Sequence, residues 1–204
     1  MSQKEPNPQI SSDLSMLGLL SNGEQPYSLT LRRKGFDQDK EFIKFVRNVE
    51  RLVRSSGEYK EWTDYVKDVL GYCNCAVTDE KSSEVTIEIH HHPITLFLIV
   101  KSIMITKINK EIEFCTFDIA QEAIELHFTN RLGYIPLVRT LHEKYHGGFL
   151  RIPMELVHGD WMYVFNNYNI EDIDMQLIGE LASVKLEDVK TAWSRNNYPE
   201  AING

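Results

Sequence analysis

Cysteine is scarce in this chain: Cys73, Cys75 and Cys115 are the only three in 204 residues. An odd, small number in a chain this long builds no disulfide framework, so an intracellular, reducing compartment is expected. The opening residues, MSQKEPNPQISSD, contain no signal-peptide apolar core. The longest apolar run, Ile94 to Ile105, is broken by Thr95, Lys101 and Ser102 and is too short and polar to span a bilayer. A soluble cytoplasmic protein without a membrane partner is expected. Excess positive charge is lacking too: 22 Lys and Arg face 30 Asp and Glu, for a net charge of -8. That argues against coating nucleic acid through bulk charge. It leaves room for a small basic groove, or for a bound divalent cation that supplies positive charge locally. No Ser-His-Asp order, P-loop or Gly-rich dinucleotide turn is visible.

What is present is enough apolar material, 42% of residues, for one well-buried core. Residues 1–26, rich in Ser, Asn, Pro and Gln, read as a flexible arm. Residues 27–204 read as a single domain, and Tyr27 to Arg32 alternates like a short strand. From Asp37 to Arg54 the residues Phe42, Phe45, Val46, Val49, Leu52 and Val53 recur at helical spacing. The opposite face carries Lys40, Lys44, Arg47, Arg51 and Arg54, either a solvated helix face or a phosphate-contacting one. A second helix is expected over Tyr59 to Leu70.

Val85, Ile87 and Ile89 then alternate with Glu84, Thr86 and Glu88, which is strand patterning. Val77 to Ser82 before them looks like a hairpin loop. Helices are expected from Ile94 to Ile108, from Phe117 to Asn130 with Thr116 as cap, and from Leu137 to His146, stopped by Gly147-Gly148. A strand-like piece (Phe149 to Ile152), an aromatic run (Trp161 to Phe165) and a final helix near Leu186 to Arg195 complete the chain. Trp161, Tyr163 and Phe165 suit core packing better than base stacking.

Three of the seven histidines are contiguous, His90, His91 and His92, and two more form His142-x-x-x-His146. Spacing of four puts both imidazoles on one helix face, a common grip on a transition metal. Neutral imidazole suits Zn, Ni and similar ions. His127 reads as structural or surface-exposed, and His158-Gly-Asp160 as a turn.

The segment Glu88-Ile-His-His-His-Pro93 resembles the first half of the HNH (ββα-metal) endonuclease motif, and Gly133-Tyr-Ile-Pro-Leu-Val-Arg-Thr-Leu-His-Glu-Lys-Tyr-His146 resembles the second. The likeness covers about residues 73–148, between a helical part (27–72) and an extension (149–204), with helices inserted at 94–130. It implies that His90, His142 and His146 ligate one divalent ion (Zn, Mg, Mn or Ni) and that His91 is the base that activates water. It leaves open a register in which His91 and His92 take those two roles. The reaction implied is metal-dependent hydrolysis of DNA phosphodiester bonds, and the family's frequency in phages implies a viral origin, hence the host cytoplasm. The central Asn of the motif falls on Gly133, with Asn130 and Glu143 as the nearest supporting groups. The positions of a second Cys knuckle are Val138 and Leu141, so a four-cysteine zinc site is excluded and Cys73 and Cys75 read as ordinary buried residues. The rival function is a scaffold of the same shape that has lost cleavage and binds DNA or a protein partner, which Gly133 and the charge of -8 favour. A third, an unrelated metal hydrolase, leaves the likeness unexplained. The fold expected is α+β: mostly helical, with a small β-hairpin and a ββα-metal-like motif carrying a helical insertion.

Overall fold

The computed structural model describes residues 39–187 and 189. The arm expected over 1–26, the strand at 27–32 and nearly all of the helix near 186–195 lie outside the described residues.

Helix α1 (Asp39–Ser55) forms where the apolar spacing predicts it. Val46, Val49 and Val53 are buried, acidic Asp39 and Glu41 sit in the first turn, and Arg54 sits in the last, matching the helix dipole. Ser56 caps α2 (Gly57–Asp64) by accepting from the Tyr59 N–H, and α2 widens into a single π turn, Tyr65–Val69. Helix α3 (Leu96–Asn109), capped by Thr95, is apolar nearly all round and accordingly buried. Helix α4 (Thr116–Phe128) starts at its expected cap, one residue before its expected first residue. The Cys115 N–H donates to the Asp118 carboxylate, so Cys115 rather than Thr116 closes the first turn. Helices α1, α3 and α4 pack on one another and α2 packs on α1 and α4. Their core includes Val46, Val49, Ile99, Ile103, Met104 and Ile119. Each such side chain, fully buried, contributes about 1.5–3 kcal/mol.

The fold is α+β, with a two-stranded antiparallel sheet beside this helical body. The strands are β1 (Ile87–His91) and β2 (Tyr134–Val138), in the register Ile87 to Val138, Ile89 to Pro136 and His91 to Tyr134. A local hairpin is not what forms. The 77–82 loop makes only an isolated bridge, Asn74 to Lys81, and the partner of β1 arrives after α3 and α4. Strand β2 has no alternation to betray it, because all five of its residues are buried. The helix expected from Leu137 therefore begins at Arg139, as α5 (Arg139–His146). Pro136 is tolerated because both strands are edges, and its carbonyl accepts from the Ala76 N–H.

Helix α5 stops as expected at Gly147-Gly148, with Gly148 at a φ of +75°. Residues 149–152 are loop rather than strand, followed by a 3-10 turn at Met154–Leu156. The aromatic run is helix α6 (Trp161–Asn167), whose Trp161, Tyr163 and Phe165 pack against the main core as expected. Helix α7 (Asp172–Ala182), not foreseen, is pinned to α3 by Lys101, whose ammonium meets Glu171 at 2.6 Å and Asp174 at 2.7 Å. Among the described residues no helix is long and apolar enough to cross a membrane.

Candidate metal centre

A strand alternates its side chains, so β1 has two faces of different character. Glu88 and His90 point toward α5, and His91 points the other way, toward α2. The sequence order β1, β2, α5 is therefore a ββα unit with His90 on its strand and His142 and His146 on its helix.

These three histidines come together. One ring nitrogen from each lies within 4.8 Å of the others, and they are the one group of three such donors found among the described residues. His142 Nε2 and His146 Nε2 are 2.9 Å apart. The His90 ring lies 4.7 Å from that of His142 and 5.1 Å from that of His146, between centroids. Two imidazole nitrogens on one ion at 2.0–2.1 Å stand roughly 3 Å apart, so the separation fits a shared metal.

Glu88 Oε2 lies 2.5 Å from His142 Nδ1. A carboxylate only accepts, so His142 carries its hydrogen on Nδ1, and in the neutral ring Nε2 presents a lone pair to the centre. His90 is 4% exposed, and its Nε2 is buried without a hydrogen-bond partner. Buried polar atoms are rarely left so. Burial, then the neighbouring His142 and His146, lowers the His90 pKa to about 2. Burial, then His142, also lowers that of His146. Both rings are thus neutral at pH 7, the form that ligates. The centre is buried at His90, partly open at His142 and exposed at His146, so a substrate or water can reach one side.

His91 does not join this cluster. It is 2% exposed, and its Nε2 lies 2.9 Å from Nε2 of His127 across the back of the sheet. The expectation that His91 activates water is corrected by strand alternation, which turns adjacent residues to opposite faces. The register with His91 as ligand and His92 as base fails for the same reason. His92 lies beyond β1 on the His90 side, fully buried, with Nδ1 3.1 Å from the Tyr145 hydroxyl, and the His92–Pro93 peptide is cis.

The supporting residues are also redistributed. Asn130 accepts from the Tyr134 hydroxyl at 3.3 Å, on the His91 side of the sheet. Gly133 has no room for the Asn of the motif, because a Cβ there would lie 2.1 Å from the His92 carbonyl oxygen and 2.6 Å from Trp161 Cβ. Glu143 is exposed and paired with Arg139. The support comes instead from Glu88, whose signal in the sequence is its place two residues before His90. Of the basic face of α1, Arg54 is near enough for its charge to be felt at both His90 and His146, while it holds Glu50 at 2.9 Å. Arg47 lies over the Phe97 ring, and Lys44 and Arg51 are exposed. His127 is buried, and His158, expected in a turn, instead bridges Tyr134 before the chain bends at Gly159, which has a φ of +79°. Cys75 is buried, Cys73 is half-buried, and all three cysteines are free.

No curated protein and no solved structure matches the chain. The model of one family does, over residues 19–200, and its description carries no nuclease name. That span is nearly the whole chain and supports the phage origin expected from the sequence. The chain belongs to the bacteriophage G278-like virion protein family.

Proposed function

We propose that this is a metal-binding phage protein, carried in or assembled with the virion, whose His90, His142 and His146 hold one divalent ion and whose centre hydrolyses DNA phosphodiester bonds. The observation that carries the reading is the convergence of those three imidazoles on a ββα unit. A divalent ion held there would polarise a phosphate oxygen and ease deprotonation of a water. The chain's own contribution is placement. Glu88 fixes the His142 tautomer, burial keeps His90 neutral, and the exposed His146 leaves the open side. Arg54, whose charge reaches the centre, would take a phosphate oxygen in exchange for Glu50. The net charge of -8 then matters less, because the ion and Arg54 concentrate positive charge at one point.

The test is plasmid nicking by the purified chain with Mg, Mn, Ni or Zn added, beside His142→Ala and Arg54→Ala. Metal-dependent nicking lost in His142→Ala and reduced in Arg54→Ala is the expected result. A second reading is a metal-stabilised scaffold that binds DNA or a protein partner without cleaving, and the burial of His91 favours it, since the residue expected to act as base is shut off from the centre. Metal binding without nicking under any ion would select that reading.

A further inference from the structure

We propose that His91 and His127 form a buried strut that sets the height of β1 against the helical body, making His91 a positioning residue of the metal centre. The inference rests on the metal reading of the centre.

Every proton in the strut is assignable. His127 Nδ1 lies 2.6 Å from the Ala123 carbonyl, one turn back on α4. A carbonyl only accepts, so Nδ1 carries the hydrogen, and in the neutral ring Nε2 is left as acceptor. His91 Nε2, 2.9 Å away, must then be the donor. The rings meet edge to face at 85°. Trp62 stacks on His91 at 5.7 Å and meets His127 edge-on at 4.5 Å. Tyr59 lies beside Trp62, 5.6 Å from it, and is 6.2 Å from His91 and 5.3 Å from His127. Both histidines are 2% exposed, so the pair is shut off from solvent and from any ligand.

The need for such a strut follows from the sheet. Two strands alone hold their position weakly, yet His90 must meet two donors on α5 to within about 0.2 Å. Apolar packing of Ile89 and Tyr134 on Trp62 and Val66 resists separation but sets no exact height. A directional hydrogen bond from the residue beside the ligand to a helix of the main body does. The strut thereby ties β1 to α4 and α2 on one face while His90 works on the other.

The experiment is a Co(II) titration of the full chain, read by visible absorbance and by Zn(II) competition, on His91→Leu, His127→Leu, their double variant, His127→Gln and His127→Asn. The wild type is expected to bind. Each leucine variant should bind about 10–100-fold more weakly, with an altered visible spectrum, and the double variant no more weakly than either single. His127→Gln keeps an acceptor near the Nε2 position and should recover most of the affinity. His127→Asn, one bond shorter, should not, and this pair decides the matter if the leucine variants unfold. Wild-type affinity and spectrum in both leucine variants, or equal behaviour of the Gln and Asn variants, would overturn the strut while leaving the metal centre standing. His91→Leu that binds Co(II) as wild type yet nicks no DNA would return His91 to the role of base and also overturn it. A folded wild type that takes up no Co(II) would remove the metal reading itself.

Discussion

Glu88 and His142 are joined by a 2.5 Å contact between Oε2 and Nδ1 that spans 54 residues of sequence. It orients a candidate ligand from behind, as carboxylates do in many metal sites. Glu88→Gln should therefore weaken Zn(II) or Co(II) binding about 10–100-fold with little change in thermal stability of the metal-free protein. Calorimetric titration beside a melting curve separates the two effects. Unchanged affinity would show that Glu88 is merely a surface partner.

Gly133 should accept no side chain. A Cβ at that position would sit 2.1 Å from the His92 carbonyl oxygen, which is backbone and cannot swing away. Gly133→Ala should cost about 3 kcal/mol or more by overpacking, measured by urea unfolding. Gly133→Asn, the residue the HNH motif would place there, should fare worse and should not restore activity.

Lys101 is a nearly buried ammonium, 9% exposed at its side chain, held by Glu171 and Asp174. Asp174→Ala alone should cost about 1.5–3 kcal/mol, the worth of a hydrogen bond to a charged group. Adding Glu171→Ala strands the charge and should raise the loss to about 3–5 kcal/mol. Equilibrium denaturation of the two variants tests the difference. Lys101→Met in the doubly substituted background should recover part of it.

The metal-free protein should lose stability as the pH falls from about 6.5 to about 4. Burial lowers the His127 pKa to about 4 and that of His92 likewise, and His91 falls well below its ordinary value. Between those limits the unfolded chain binds protons that the native chain refuses, so unfolding is favoured as pH drops. For His127 alone the contribution is on the order of 3 kcal/mol. Urea midpoints measured in chelator from pH 8 to 4 should fall through this window. His127→Gln should flatten part of the slope, and a midpoint independent of pH would contradict the burial of these rings.

Much of this was legible in the residues. The apolar spacing of α1 is regular, and Gly147-Gly148 marks the end of α5. The pairing of His90 with His142 and His146 followed from the motif halves and is brought together in space. What escaped detection had physical reasons. Strand β2 is buried on both sides, so Tyr134 to Val138 carries no period to tell strand from helix. The fate of His91 depended on which face of β1 meets α5, a choice fixed by the packing of Trp62 and Tyr134 far along the chain. Glu88 could have been paired with His90 by counting alternate positions, but its contact to His142 required knowing the β1–β2 register.

The long gap between the two strands has a consequence for synthesis. As the chain leaves the ribosome, α1 to α4 emerge with β1 already among them, but β2 and α5 follow only later. His90 must therefore wait, unpartnered, until residues 134–146 arrive. A nascent chain halted near residue 130 would hold the helices of the main body and yet be unable to capture an ion. If the proposed ion binds, its loading would on this order of events come only after residues 134–146 are in place and would report completion of the fold.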